Sequence, residues 1–342
     1  MRKVVYFTVF FVFTLSMHAQ KKVALHSNGT TTFFGGASPY TDAYNAAVDG
    51  DTIYLPGGQF SAPHISKRLT VIGVGHHPDS TTALGETILN GFYIYAAGAK
   101  SYFEGLKITG NISFGGIADS IIIKRCYIEG SISLYTYASN GCKLTENVIV
   151  GSINGTGATN TAIVNNIIKR NGNNAIYNIQ NNAYIANNII VGRGTYVSYT
   201  HGYVMSGITD CLFENNIILN EGTQAANIIG TTANNTFRNN IFTADPTDGI
   251  NTWEGNYFNI VSGSIFINYM GLTFDYAENF HLLNPETYIG TTANEVGIYG
   301  GFAPAKEGAV PMNPHIRNKT ISTQTNSSGE LSIDITVSAQ DN

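Results

Sequence analysis

The chain has 342 residues, of which 43% are hydrophobic and 12% are charged, with 37 Gly, 37 Asn and only 9 Pro. This composition excludes a disordered chain, because there is enough apolar material for a core, and it excludes a coiled coil, because Gly and Asn are poor helix formers. A net charge of −5 and a pI near 5.9 exclude a basic surface for nucleic acid.

Residues 1–19 have the features of a secretory signal peptide. Arg2 and Lys3 precede an apolar run that ends at Leu15, and Ala19 supplies the small residue at the cleavage position. The apolar run is shorter than the about 20 residues that a membrane-spanning helix needs. We therefore expect export without membrane insertion, to the periplasm, the cell surface or the medium.

The segment after the signal peptide predicts an N-terminal cap. Residues 41–48 form a short amphipathic pattern with Thr41 as a candidate N-cap, and a strand-like segment, residues 49–60, follows. The three cysteines, Cys126, Cys142 and Cys211, are an odd number in apolar surroundings. We interpret them as small buried side chains rather than as disulfide partners.

Eight segments between residues 102 and 259 repeat one pattern with a period near 21. They align on Gly105, Cys126, Asn147, Asn166, Asn188, Asn216, Asn240 and Asn256. The positions three before and one after the aligned residue are apolar in every segment, and no helical pattern intervenes. Such short runs predict an all-β fold, a right-handed parallel β-helix of about ten coils. Stacked Asn amides are expected to hydrogen-bond from coil to coil.

Charges one or two places before the aligned residue alternate in sign. One row is Glu104, Arg125 and Glu146, and the other is Glu214, Arg238 and Glu254. Opposite charges stacked in this way neutralise each other, so we assign them to the scaffold.

The sequence predicts three parts: a signal peptide over residues 1–19, a capped β-helix over residues 20–301, and a tail over residues 302–342. The repeat gives way to an extended connection marked by three prolines, Pro304, Pro311 and Pro314. Alternation of apolar and polar residues from Leu331 to Ser338 then predicts a half-buried strand.

Several segments resemble right-handed parallel β-helix proteins of the pectate lyase-like superfamily, in particular a branch of exported bacterial proteins. They are DGDTIYLPGGQF at 49–60, GVGHHPDST at 73–81, FHLLNP at 280–285 and VGIYGG at 296–301. The resemblance implies the fold, but the superfamily includes lyases, hydrolases and noncatalytic adhesins. Its lyases use a Lys or Arg base, often with calcium. No calcium cluster of that kind is matched in this sequence.

Charged side chains that follow the aligned Asn residues stack on one corner of the predicted coil. They are Lys169, Arg170, Arg193, Glu221 and Asp245. A long insertion before Asn216 adds four aromatic or imidazole side chains, and long loops on a rigid scaffold often bind ligands. The candidate substrate-binding residues are Arg170, Arg193, Tyr196, Tyr199, His201, Tyr203 and Glu221.

The basic and aromatic character of this corner favours an acidic polysaccharide, since Arg binds a carboxylate bidentately. The leading hypothesis is an exported, monomeric carbohydrate-binding protein. A polysaccharide lyase that acts by β-elimination, with Lys169, Arg170 or Arg193 as the base, is the first alternative. A noncatalytic structural or adhesion protein, in which Arg193 and Glu221 form another scaffold ion pair, is the second.

No metal site is predicted, because no Cys, His or carboxylate group stands at zinc-ligand spacing, and His76 and His77, if in a strand, point to opposite faces. Calcium is the one candidate cofactor, with Glu221, Asp245 and Asp248 as weak candidate ligands.

Overall fold

The computed structural model describes residues 21–134, 138–197, 200–224 and 227–340. The chain winds into a parallel β-helix of about eight turns, with short strands in three parallel sheets around one apolar core. We name the sheets first, second and third, in the order in which each turn passes through them. The predicted fold class is therefore confirmed. The structure has about eight turns where the sequence predicts about ten coils, and parallel pairing ends at the bridge between Ile241 and Tyr257.

The first sheet contains ten parallel strands and, at its N-terminal edge, two antiparallel ones. The antiparallel strands are Val23–Ser27 and Thr30–Phe34. The parallel strands are Thr52–Tyr54, Thr70–Ile72, Tyr102–Glu104, Ile122–Lys124, Lys143–Thr145, Ala162–Val164, Tyr184–Ala186, Leu212–Glu214, Thr236–Arg238 and Thr252–Glu254.

The second sheet has nine strands and the third has seven. The second contains Gly58–Phe60, Thr87–Leu89, Lys107–Ile108, Tyr127–Ile128, Val148–Ile149, Ile167–Lys169, Ile189–Gly192, Ile217–Asn220 and Ile241–Phe242. The third contains Phe92–Ile94, Ile112–Phe114, Ile132–Ser133, Ile153–Asn154, Ile176–Tyr177, Met205–Thr209 and Ile229–Ala233.

Both ends of the core are closed by the chain itself. At the N-terminal end, the α-helix Pro39–Ala46 buries Tyr40 and Ala43 next to the antiparallel strands. This helix begins two residues before the predicted Thr41, because Pro39 suits the first helical turn. Toward the last turns, Trp253 stacks on Phe237 with ring centroids 4.4 Å apart. Four 3-10 turns, Pro78–Ser80, Ala96–Gly98, Ser262–Ser264 and Glu307–Ala309, lie in the connections.

The corner between the first and second sheets is built from a left-handed residue followed by a buried Asn. The left-handed positions include Asn165, Asn187, Asn215 and Asn239, with φ between 52° and 57°. The Asn that follows each of them donates from Nδ2 to the Oδ1 of the next coil. These contacts measure 2.9 to 3.0 Å between Asn147, Asn166, Asn188, Asn216, Asn240 and Asn256. The amides therefore form one continuous column inside the corner.

The alternating charges beside this corner form ion pairs. Arg125 bridges Glu104 at 3.1 Å and Glu146 at 2.9 Å, and Arg238 pairs with Glu254 at 2.8 Å. In the first row Glu104 and Arg125 are buried and Glu146 is half-buried. The C-terminal tail contacts this row, since the Met312 amide donates to Glu104. The Arg238 pair is exposed to solvent.

Residues 261–310 leave the coil and cover the outer face of the second sheet. Strands Phe266–Asn268 and Asn279–Leu282 pair as an antiparallel ribbon. A second apolar core joins this cover to the outward side chains of the coil: Ile189, Val191, Ile217, Leu219, Ile241, Ile265, Phe266, Phe280, Leu282, Val296 and Ile298. The division at residue 301 stays a prediction, although the parallel strands end well before it.

The C-terminal strands form an antiparallel hairpin, His315–Ile321 with Ile333–Ser338. A β structure at this end is confirmed, but the predicted half-burial is wrong. Ile333, Ile335 and Val337 are 50–57% exposed, because no other described element covers that face of the hairpin.

Candidate functional site

The three outer faces of the coil differ in what they offer to a ligand. The second sheet is covered by residues 261–310. On the first sheet, the charged residues are largely engaged in ion pairs, such as Lys124 with Glu146 at 3.4 Å. Within the described residues, the third sheet carries neither a covering segment nor a charged column. It is therefore the face on which a long ligand has room to lie.

One row of outward side chains on the third sheet is polar throughout. Strand pairing aligns Tyr93, Ser113, Ser133, Asn154, Tyr177 and Ser206 in a single column, which we call the hydroxyl column. Their strand neighbours Phe92, Ile112 and Ile132 are buried, so the column faces outward. Tyr93 and Tyr177 lie four strands apart, about 19 Å along the coil.

An aromatic cluster stands at the N-terminal end of this column. Tyr93 and Tyr95 are 47% and 40% exposed, and their ring centroids lie 6.4 Å apart at an interplanar angle of 23°. His64 packs edge-on to Tyr93 at 5.2 Å. The Tyr95 ring also lies against Gly115, where a Cβ would meet it at 2.5 Å. Exposed rings fixed in this way offer flat apolar surfaces beside hydroxyl groups.

Arg170 and Arg193 lie at the corner between the second and third sheets. Arg170 is half-buried, and its Nε donates to the Asn173 carbonyl at 2.5 Å. Arg193 is exposed, and its guanidinium makes no ion pair with any described residue. Tyr203 lies at this corner, two residues before the third-sheet strand Met205–Thr209. Its ring covers Gly230, which pairs with Ser206 at the end of the hydroxyl column. These three side chains stand along one edge of the third-sheet face.

Glu221 forms its side-chain hydrogen bond with the covering segment and not with Arg193. It accepts a hydrogen bond from the Tyr269 hydroxyl at 3.0 Å, so it faces the covering segment. An ion pair between Arg193 and Glu221 is absent from the described residues. The insertion forms a small hairpin, Thr195–Val197 with Thr200–Gly202, in which Tyr196 pairs with His201. The side chains of Tyr196 and His201, and the whole of Tyr199, lie outside what the structure describes.

Lys169 lies under the covering segment and not on the corner surface. Its Nζ is 2.6 Å from Glu278 Oε1, and both side chains are fully buried. It also donates to the Thr273 carbonyl at 3.1 Å and lies 4.9 Å from the Tyr269 ring centroid. Burial lowers the pKa of Lys169, and hydrogen bonding to Glu278 opposes that shift. Enclosed in this way, the amine has no path to a polysaccharide on the third sheet.

The three weak calcium candidates make separate contacts. Asp245 caps a turn by accepting from the Thr247 amide, and Asp248 accepts from the amides of Ile250 and Asn251. Glu221 is held by Tyr269. Within the described residues, no three His, Cys, Asp or Glu side chains are grouped as metal ligands. A calcium site at these residues stays a prediction.

A cleft of about 480 Å³ lies between the second sheet and the covering segment. Val148 and Ile167 line its floor, Tyr276, Phe280 and Tyr299 line the covering side, and both His76 and His77 border it. The two histidines do not lie in a strand, so the expectation of opposite faces does not apply, and the Tyr276 ring contacts both. Burial lowers the pKa of His76 to about 3, so its imidazole is neutral.

Comparison with known proteins places the chain near one solved structure. No protein-family model matches it, and no curated protein matches it. The crystal structure of pectate lyase Pel9A is similar, with a TM-score of 0.48 and 12% identity over 80% of this chain and 89% of that one. The parallel β-helix itself is established by the strand pairing given above. The described α-helix, eight residues long, and the 3-10 turns include no segment able to cross a membrane.

Proposed function

We propose that this protein is an exported carbohydrate-binding protein that holds a polysaccharide along the outer face of its third sheet. The observation that supports the proposal most is the hydroxyl column with the aromatic cluster at its end. Hydroxyl and amide groups exchange hydrogen bonds with sugar hydroxyls, and exposed rings pack against the apolar faces of sugar rings. A column about 24 Å long, five strand spacings from Tyr93 to Ser206, suits an extended chain of several sugars rather than a single one.

The corner between the second and third sheets favours an acidic polysaccharide as the ligand. Arg193 lies at the edge of the third-sheet face, is exposed, and forms no ion pair among the described residues. Its guanidinium can donate two parallel hydrogen bonds to the carboxylate of a uronate. Arg170 and Tyr203 stand on the same edge. The described residues of the third-sheet face offer no competing carboxylate column that would repel an anionic chain. Export rests on the signal-like residues 1–19, and a monomer is the state that we propose.

Lyase activity remains the alternative, and Arg170 or Arg193 is then the candidate base. The similarity to pectate lyase Pel9A is at the level of overall shape. Incubating the protein with pectate, alginate and chondroitin, with and without calcium, tests this alternative directly. Absorbance from unsaturated products would support a lyase. Binding without such absorbance supports the carbohydrate-binding proposal, and neither binding nor product supports the structural alternative.

Replacing both Tyr93 and Tyr95 with Ala should weaken polysaccharide binding about 30-fold. Each stacked ring contributes about 1 kcal/mol, and 1.4 kcal/mol corresponds to a factor of ten in affinity. The affinity is measured by titration calorimetry with the best glycan from an array. Tyr184→Ala is the matched control, because Tyr184 is 39% exposed but lies on the first sheet. Equal loss in both variants, or no loss in the double variant, would contradict the proposed face.

A further inference from the structure

Aromatic rings and arginines lie at opposite ends of the third-sheet face. The aromatic cluster belongs to the coil of Tyr93, the first member of the hydroxyl column. Arg170 precedes the third-sheet strand Ile176–Tyr177, and Arg193 precedes the next one, Met205–Thr209. The spacing of adjacent strands places the two arginines about 19 and 24 Å from the Tyr93 strand along the coil axis. A polysaccharide on this face therefore meets flat rings at one end and positive charge at the other.

The three coils between these ends carry polar but uncharged side chains in the hydroxyl column. The outward residues of these coils are Ser113, Ser133 and Asn154. Hydroxyl and amide groups exchange hydrogen bonds with sugar hydroxyls, but they supply no positive charge. A carboxylate held against this part of the face would lose hydration without gaining a cation, which is unfavourable.

The opposite edge of the face, at the corner between the third and first sheets, disfavours a densely charged ligand. Between residues 95 and 211, the charged side chains of this corner are Lys100, Asp119 and Asp210. Asp119 accepts from the Asn140 amide at 2.8 Å, and Asp210 accepts from Asn234 Nδ2 at 3.3 Å. Neither carboxylate forms an ion pair with a described residue. The corner therefore carries a net negative charge, which repels further carboxylates.

We propose that the polysaccharide on this face is sparsely charged, with neutral sugars along most of the column and a single uronate beside Arg193. This inference rests on the proposed function and specifies its ligand. The neutral sugars pack against Tyr93 and Tyr95 and hydrogen-bond along the column, and the uronate carboxylate accepts from the Arg193 guanidinium. A polymer with a carboxylate on every sugar would instead place most of its charges where the face has no cation.

The test is a calorimetric titration of the full chain with matched hexasaccharides that have the sugar linkages of cellulose or of pectate. Each is used in four forms: neutral, with one uronate at the reducing end, with one uronate at the non-reducing end, and with a uronate at every position. In each series that binds, one singly charged form should bind about tenfold more tightly than both the neutral and the fully charged form.

Two results of this titration would overturn the inference. One is a fully charged form that binds as tightly as the better of the two singly charged forms. The other is a neutral form that does so. If no form in either series binds saturably, the polysaccharide face itself is refuted, and the inference is refuted with it.

Replacing Arg193 with Gln locates the uronate. The affinity for the better singly charged form should fall about tenfold, and the affinity for the neutral form should not change. Lys143→Gln is the matched control, because it removes an exposed positive charge from the first-sheet strand Lys143–Thr145. Equal losses in Arg193→Gln and Lys143→Gln, or no loss in Arg193→Gln, would overturn the assignment of the uronate to Arg193.

Replacing Ser133 with Arg tests the uncharged middle of the column. This variant adds a cation between the two ends, so the affinity for the fully charged form should rise about tenfold. Thr145→Arg is the control, because Thr145 is half-buried on the first sheet and the charge added there lies on another face. An equal rise in both variants, or no rise in Ser133→Arg, would contradict the inference.

The proposed function and this inference can fail separately. The Tyr93→Ala/Tyr95→Ala variant should weaken the binding of the neutral and singly charged forms by the same factor, because the rings contact neutral sugars in both. If that variant loses affinity but a single uronate adds none, the polysaccharide face stands and the inference about its ligand falls. If the tyrosine variant binds every form as the wild type does, the third-sheet face is not the site.

Discussion

Replacing Lys169 with Met should lower the free energy of unfolding by about 3–5 kcal/mol. The substitution leaves the carboxylate of Glu278 buried beside the second sheet without its cation, and breaking one side of a buried ion pair typically costs that much. The loss is measured by urea denaturation followed by circular dichroism. Because Lys169 is enclosed by the covering segment, polysaccharide binding by the folded variant should not change.

The double variant Lys169→Met/Glu278→Gln tests whether the unpaired buried charge causes this loss of stability. Glu278 accepts from the amides of Met270 and Asp275 with different oxygens, so the glutamine introduced by Glu278→Gln can keep only one of these hydrogen bonds, but it carries no buried charge. We expect the double variant to recover part of the lost stability, since an ion pair replaced on both sides is often nearly neutral. A single variant as stable as the wild type would mean that the covering segment does not bury this pair in solution.

Replacing Asn188 with Ala should lower the free energy of unfolding by about 4 kcal/mol. Its Nδ2 donates to the Ile163 carbonyl at 2.7 Å and to Asn216 Oδ1 at 2.9 Å, and its Oδ1 accepts from the backbone and side chain of Asn166. Removing the amide leaves several buried polar groups unpaired, each at about 1–3 kcal/mol before water enters. Denaturation in urea again measures the difference.

Asn140→Ala is the control for the buried column. Asn140 is exposed, and its Oδ1 accepts from Thr159 and Asn160 at the surface, where water can replace it. Its loss should change stability by no more than about 0.5 kcal/mol. Similar effects at Asn188 and Asn140 would show that the column contributes little.

The repeat could be predicted from the sequence because every turn obeys the same constraint. Apolar residues must face the interior once per turn, so alignment of eight segments finds the strands of the first and second sheets. The alignment of the first segment is wrong by one residue: Phe103 pairs with Ile123, so Leu106 and not Gly105 occupies the Asn position. The error arises because this coil has no Asn there to mark the corner.

The left-handed backbone of the corner belongs to the residue before the aligned Asn, such as Asn165 or Asn187. Asn tolerates the left-handed region, so an Asn–Asn pair in the sequence does not reveal which of its two residues adopts that conformation.

The hydroxyl column could also have been predicted from the repeat period. Its members follow one another at intervals of 20, 20, 21, 23 and 29 residues from Tyr93 to Ser206, close to the repeat period. The candidate site predicted from the sequence was chosen by its charged residues, and the hydroxyl column contains no charged residue. A row of Ser, Asn and Tyr on an otherwise regular solenoid is a signal that the sequence does contain.

The covering segment was beyond prediction from the repeat. Residues 261–310 have no period, and their contacts join residues far apart in sequence, such as Lys169 and Glu278. One indication was present, however. The residues directly after the aligned positions are apolar from Val148 to Ile241 and face outward in the second sheet, and a sheet that is apolar on both faces requires a cover.

Hydroxyl-radical footprinting with and without bound polysaccharide tests the proposed binding face most directly. The oxidation rates of Tyr93, Tyr95 and Tyr177 should fall when the polysaccharide binds, because their rings lie on the third sheet. The rates of Tyr102 and Tyr184, on the first sheet, should stay unchanged. Protection of Tyr102 and Tyr184, with Tyr93 and Tyr95 still oxidised at their free rates, would contradict the account.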